Sequence, residues 1–371
     1  MTRNLPKEPL SFPLGELYFY LTDACNLRCR HCWIEPHYLS SDQAVPALDR
    51  DLFVSILDEA GPLGTTAVKL TGGEPLLHPR IGELLSIIGN RRLRLCVETN
   101  GTLCTPELAA AIASCEQPFA AVSLDAAEAE THDWIRGKTG SFDAAVRGIR
   151  NLVAAGMRPQ IIMTLMQRNR DQMEALVRLA ESLGAGSVKF NVLQPTARGR
   201  QMHASGETID LNELISLGRW VDGELASTTA LTLCFHQPPA FRSLGKMFNA
   251  ATGDGCHSCG VLRILGVLAD GSYALCGIGE TVPEMVFGRA GRDPLREVWL
   301  HAPLLKQLRE GLPEKLQGIC RDCILKHLCM GSCIAQNYYR QRDLWAPFWY
   351  CEEARRKGLF PETRIRPARA S

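Results

Sequence analysis

Three thiols fall within eight residues in the stretch Cys25-Asn26-Leu27-Arg28-Cys29-Arg30-His31-Cys32, directly after the apolar run Glu16-Leu17-Tyr18-Phe19-Tyr20-Leu21-Thr22. On a loop leaving a strand, all three can ligate one iron–sulfur cluster. A [4Fe-4S] cluster normally takes four thiolates, so three leave one iron open to bind something else. Two other uses fit the bare spacing: a zinc knuckle, or unrelated core cysteines. Zinc would want a fourth close ligand, for which His31 and His37 are available.

A second array lies near the C-terminus. Cys256-x2-Cys259 is followed by Gly271-x4-Cys276, then by Cys320-x2-Cys323-x5-Cys329-x3-Cys333 and finally Cys351. Eight thiols are what two fully ligated [4Fe-4S] clusters need. A pair of structural zinc sites would also use CxxC pairs, and spacing does not separate iron from zinc. The other four cysteines, Cys96, Cys104, Cys115 and Cys234, have no cluster spacing and read as ordinary thiols.

The remaining composition bounds what these arrays can serve. A chain of 371 residues with 46% hydrophobic content has room for one large domain and a smaller one. Lys plus Arg (41) nearly cancels Asp plus Glu (40), so no global field recruits nucleic acid or an anionic membrane. No apolar run reaches the ~18 residues of a membrane helix, and Met1 to Glu8 lacks a signal-peptide apolar region. Fifteen cysteines in a cytoplasmic chain point to metal or cluster ligation, because cytosolic thiols stay reduced.

Strand-like runs alternate with amphipathic helical segments for about 200 residues, which predicts βα units on a parallel sheet. The predicted strands are 16–22, 67–71, 93–99, 119–124, 160–165 and 188–193, and the predicted helices include 49–60, 80–90, 142–155 and 171–183. The alternation stops near Leu231 to Pro239, where Pro becomes frequent. The expected organisation is an N-terminal tail (1–14), an α/β partial barrel (15–232), a cysteine-rich domain (233–360) and a loose Arg-rich tail (361–371). Asp270-Gly271 reads as a hairpin turn.

Taken with Gly72-Gly73-Glu74-Pro75 at the end of the second strand, the CxxxCxxC loop resembles the signature of radical S-adenosylmethionine (SAM) enzymes. The C-terminal array resembles the SPASM domain found on members of that family that mature peptides and proteins. The resemblance implies a partial (βα)6 barrel of the TIM type, SAM chelated by the open iron, and one-electron cleavage of SAM to a 5′-deoxyadenosyl radical. It implies that Cys25, Cys29 and Cys32 hold the first cluster, that Gly72, Gly73, Glu74 and Pro75 hydrogen-bond the SAM amino group, and that His31 lies against adenine in place of the family's usual aromatic residue. Ser123, Asp125 and Arg136 fall where further SAM contacts are expected, and the segment Asn191 to Leu193 where the chain packs on adenine. Thr99 and Ser123 could equally close strands, and Asp125 could cap the next helix.

The family's crossed ligation would give Cys256, Cys259, Cys276 and Cys333 to one auxiliary cluster, and Cys320, Cys323, Cys329 and Cys351 to the other. Such clusters can accept an electron as a product bond forms, which suits a thioether or carbon–carbon crosslink in a ribosomal precursor peptide. Sulfatase maturases carry an Asp directly after the cysteine matching Cys276; here that residue is Gly277. Formylglycine formation and small-molecule cofactor biosynthesis are the alternatives. The family further implies a flavodoxin or ferredoxin as electron donor. With 24 residues before Cys25, a leader-binding element is expected elsewhere on the chain or on a separate protein. Asp254, His257, His236 and Asp322 lie near cluster thiols in sequence, and nothing singles one out as the catalytic base. Three [4Fe-4S] clusters predict about twelve irons per chain after anaerobic reconstitution; iron analysis giving about four would eliminate the auxiliary pair.

Overall fold

The structure, a computed structural model, describes residues 11–39, 45–243, 245, 247 and 259–367. All six predicted strands are present: β1 (Glu16–Tyr20), β2 (Ala67–Thr71), β3 (Arg94–Thr99), β4 (Glu116–Ser123), β5 (Gln160–Leu165) and β6 (Ser187–Val192). They pair in that order and all in parallel, as the open arc of a partial barrel. The helices α1 (Arg50–Ala60), α2 (Ile81–Asn90), α3 (Pro106–Ala113), α4 (Ala129–Arg136), α5 (Ser141–Ala154) and α6 (Met173–Ser182) lie in the crossovers. Asp49 caps α1 by accepting the Asp51 and Leu52 amides, both at 2.9 Å.

The alternation of side chains along each strand divides the sheet into two environments. Leu17 and Phe19 of β1, Val68 and Leu70 of β2, and Val188 and Phe190 of β6 are buried in the core under the helices. Their neighbours Tyr18, Lys69 and Lys189 turn to the concave side. The inner face is therefore polar, which gives the chain somewhere to place a ligand.

The sheet continues past both ends of the predicted arc. A seventh strand, β7 (Thr232–Phe235), pairs in parallel with β6, so the expected boundary at 232/233 falls at its first residues. Leu233, Cys234 and Phe235 are all buried, and this short buried run holds the strand in the sheet despite the prolines that follow. On the opposite edge β8 (Ile264–Val267) pairs in parallel with β1, and β9 (Ser272–Ala274) and β10 (Val286–Arg289) extend it antiparallel. The turn between β8 and β9 is the expected one, with Asp270 accepting the Ser272 amide at 2.9 Å.

The cysteine-rich region is thus joined to the barrel by backbone hydrogen bonds as well as by side chains. Trp299 is fully buried and donates its indole N–H to the Phe12 carbonyl at 2.9 Å. The Leu295 amide donates to Glu59 of α1 at 2.7 Å. The Arg-rich tail is not loose over its described part. Ile324 donates to the Arg364 carbonyl at 2.9 Å, Arg366 donates to the Asp322 carbonyl at 2.8 Å, and Ile365 bridges Cys323. The tail is held because its backbone supplies the partners that the Cys320–Cys323 loop lacks.

Candidate functional site

The loop carrying Cys25, Cys29 and Cys32 leaves the end of β1 and is stitched to three neighbours. Residues 24–25 pair with 37–38, and Leu39 donates to the Cys25 carbonyl at 3.0 Å. Arg28 and Arg30 donate to Arg136 and Ile135 at the end of α4, at 3.1 and 2.9 Å. The Gly73 and Glu74 amides donate to the carbonyls of Thr22 and Ala24, both at 2.9 Å. A Cβ on Gly73 would stand 2.0 Å from the Ala24 oxygen, so only glycine admits this approach. The bare backbone of the Gly-Gly pair therefore meets the cysteine loop itself.

Glu74 is buried and does not present its carboxylate to the cavity. Its oxygens accept from the Leu76 amide (3.0 Å), the Thr99 hydroxyl (2.6 Å) and the Asn100 amide (2.7 Å), joining the ends of β2 and β3. Pro75 opens the short 3-10 turn that Glu74 caps. Asn100 donates to Asn26 at 2.9 Å and lies 3.9 Å from the Cys25 sulfur.

Asp125 and Arg136 come together as expected, but on each other. Arg136 Nε lies 2.7 Å from Asp125 Oδ2, and Arg136 Nη1 lies 3.6 Å from the Cys29 sulfur. The other Asp125 oxygen accepts the Thr164 amide at 2.9 Å. Burial works to raise the Asp125 carboxyl, and above all Arg136 more than offsets it, leaving it below the ordinary carboxylate range. His31 is pushed down to about 4 by burial, partly opposed by Asp125, so its imidazole is neutral. Its Nδ1 faces the site without a partner. Ser123 sits half-buried at the end of β4.

The segment expected against adenine runs along the cavity wall. Leu193 is buried with Ile135, Met166 and Met202 in a small apolar cluster, while Asn191, Val192 and Gln194 line the cavity. The chain leaves strand geometry after Val192, so period-two alternation no longer sets which side chain faces inward.

Cys25, Cys29 and Cys32 are free thiols gathered in one apolar cluster with Leu27. Burial pushes the Cys29 thiol up to about 11 against the pull of Arg136. The Leu27 amide donates to the Cys25 sulfur at 3.4 Å. Amide and guanidinium donors aimed at ligand sulfurs suit an anionic cluster, and the residues present fit one.

The distal thiols fall into two groups. Cys320, Cys323, Cys329 and Cys351 line one small apolar cavity of about 20 Å³, and the amides of Phe348 and Leu325 donate to the first two, each at 3.4 Å. Cys259, Cys276 and Cys333 line a larger cavity of about 360 Å³; Cys256, their expected companion, lies outside the described residues, as do Asp254 and His257. Among the described residues no three His, Cys, Asp or Glu side chains converge tightly enough for a single ion. Cys96, Cys104 and Cys115 stand apart from both groups as free thiols.

The larger cavity is where the site's parts meet. Thr71, Gly72 and His31 border it on one side and the three thiols on another. Lys69, Glu98, Lys189 and His236 line the same cavity. Lys69 is 2.8 Å from Glu98 and 4.3 Å from the centre of the Tyr18 ring. The usable signal was a lysine in the middle of a strand whose alternate residues are apolar. A Cβ on Gly277 would stand 2.4 Å from the Tyr20 ring, so Tyr20 fills the space that an acidic side chain at 277 would take.

The sequence pattern of the Radical SAM superfamily matches residues 19–180, and that of the iron-sulfur cluster-binding domain, SPASM, matches residues 256–324. The chain is 30% identical over 337 residues to the AdoMet-dependent heme synthase of Methanosarcina barkeri, covering 89% of this chain and 94% of that one. It is 29% identical over 359 residues to the mycofactocin maturase MftC of Mycobacterium tuberculosis, covering 95% and 86%. Its fold is that of Streptococcus suis SuiB in the crystal structure bound to precursor peptide SuiA, with a TM-score of 0.71 at 19% identity, covering 92% and 76%.

Replacing Glu74 by Ala leaves three buried donors unpaired, at about 1–3 kcal/mol each. The expected outcome is a lower urea midpoint and reconstitution to about eight irons per chain in place of twelve, with the loss confined to the first site. Full iron content in Glu74→Ala would show that the carboxylate does not hold the cysteine loop.

Proposed function

The chain belongs to the radical SAM superfamily and carries a SPASM domain, and from this we propose that it matures a ribosomally made precursor peptide by an oxidative crosslink of the thioether or carbon–carbon kind. It is a radical SAM enzyme: the first domain binds a [4Fe-4S] cluster and SAM, and the SPASM domain binds further iron–sulfur clusters. When bound, these groups supply a hydrogen-abstracting radical and an acceptor for the electron released as the product forms.

In this reading Cys25, Cys29 and Cys32 hold the first cluster. Cys259, Cys276 and Cys333 hold one auxiliary cluster with Cys256, and Cys320, Cys323, Cys329 and Cys351 hold the other. The backbone of Gly72 to Pro75, with His31 and Ser123, borders SAM. Asp125 and Arg136 hold each other and Cys29, and so position the cluster loop. Trp33, Ile34 and the two tyrosines of β1 wall the cavity and restrict water.

The observation that carries the peptide reading is the cavity. It lies between the SAM-binding motifs and the Cys259, Cys276 and Cys333 thiols, where a substrate side chain would meet both. The likeness to a mycofactocin maturase over 95% of this chain, and the fold shared with a protein crystallised with its precursor peptide, support it. The Tyr20 ring against Gly277 argues against a sulfatase-type base at that position. The likeness to an AdoMet-dependent heme synthase favours a second reading, in which the substrate is a small molecule.

A reduced flavodoxin or ferredoxin would deliver the electron, and a separate protein could present the leader. No helix among the described residues is long and apolar enough to cross a membrane. Thiols that must stay reduced for cluster ligation support a cytoplasmic location.

The test is to incubate the reconstituted, reduced enzyme with SAM and any short peptide encoded beside its gene. The peptide should lose two hydrogens as 5′-deoxyadenosine accumulates, as read by mass spectrometry. Turnover with tetrapyrrole carboxylates and none with peptide would establish the second reading instead.

A further inference from the structure

The charges inside the larger cavity do not balance. Lys69 is paired with Glu98 at 2.8 Å. Lys189, on the same inner face of β6 as Asn191, has neither a hydrogen bond nor an ion pair within reach among the described residues, though it too lies in the field of Glu98. Two lysines thus line the cavity with one carboxylate, while Glu16 acts on Lys69, and Arg242 on Lys189, from outside the lining. Burial lowers Lys189 from its ordinary value, and Lys69 and Arg242 act in the same direction. A half-buried ammonium without a partner is costly unless something anionic joins it.

Polar groups lining the same cavity are also unsatisfied. Thr196 is 4% exposed, lines the cavity, and its hydroxyl has no partner. Asn191 lines the same wall with its side-chain oxygen unpaired, and the two ends of an amide are interchangeable by rotation, so its NH2 can face inward. An ammonium, a hydroxyl and an amide on one wall make a donor set for a carboxylate, whose two oxygens accept about four hydrogen bonds.

We propose that Lys189, Asn191 and Thr196 form a subsite for a substrate carboxylate, which holds the neighbouring carbon between the SAM-binding motifs and the Cys259, Cys276 and Cys333 thiols. The subsite deepens the reading of the cavity as a substrate site. The carboxylate belongs either to the C-terminus of a peptide or to an acidic side chain. A role for Lys189 as counter-charge to the auxiliary cluster alone is the rival, and it predicts no preference among added ligands.

The experiment is calorimetric titration of the reconstituted, SAM-loaded enzyme. The first probes are 3-phenylpropionate and 3-phenylpropionamide, which differ only in the acid. The acid should bind about tenfold more tightly than the amide or better. Lys189→Gln should erase that preference, Lys189→Arg should restore most of it, and the surface change Lys306→Gln should leave it intact. Acetyl-Phe-Gly with a free C-terminus and acetyl-Phe-Glu amide, each compared with acetyl-Phe-Gly amide, separate the two sources of the carboxylate. Preference for 3-phenylpropionate but for neither peptide would keep the subsite and remove the peptide reading. Equal or absent binding of acid and amide, or a preference that survives Lys189→Gln, would overturn the proposal.

Discussion

One buried carboxylate fixes the geometry from which the rest follows. Glu74 gathers the Leu76 and Asn100 amides and the Thr99 hydroxyl, while its own amide holds the Ala24 carbonyl one residue before Cys25. Burial pushes the Glu74 carboxyl up, and these donors work against that push. The interaction ties two strand ends to the loop between Thr22 and Cys25, so the first thiol is placed by the barrel rather than by the loop. Thr22 reinforces it, donating to the Ala24 carbonyl at 2.9 Å.

The same economy of pairing runs through the interior. Asp125 neutralises Arg136, and the guanidinium reaches on to the Cys29 sulfur. Lys69 is neutralised by Glu98 beneath the Tyr18 ring. Charged groups inside a barrel are costly unless paired in this way, which makes Lys189, without a hydrogen bond or ion pair among the described residues, informative. Because β8 joins β1 edge to edge, the cysteine-rich region brings Cys259 and Cys276 to the open side of this polar interior. The cavity is bounded by both halves of the chain.

Much of this was legible in the sequence because the strands alternate apolar residues packed under the helices with residues on the inner face, bounded by amphipathic helices. The six barrel strands, the Asp270 turn and the grouping of the distal thiols all followed from spacing or from family likeness. What was not legible depended on partners far away in sequence. Glu74 reads as a ligand-facing residue until Thr99 and Asn100 are seen to claim its oxygens. Strand β7 is a short buried run that does not stand out beside prolines. The tail to Arg366 looks loose because its hydrogen bonds are made by backbone groups, which no side-chain pattern records. Lys69 and Lys189 were visible as lysines within strands, but only the closing of the sheet shows that they face each other across Glu98.

The central claim is that one cavity joins a SAM-type cluster loop to a set of auxiliary cluster thiols. Anomalous diffraction at the iron edge from anaerobically grown crystals of the reconstituted protein tests it most directly. The account predicts three iron centres: one on Cys25, Cys29 and Cys32, one bordering the same cavity at Cys259, Cys276 and Cys333, and one within Cys320, Cys323, Cys329 and Cys351. Iron at the first site alone, or a zinc-edge signal at either distal site, would contradict it.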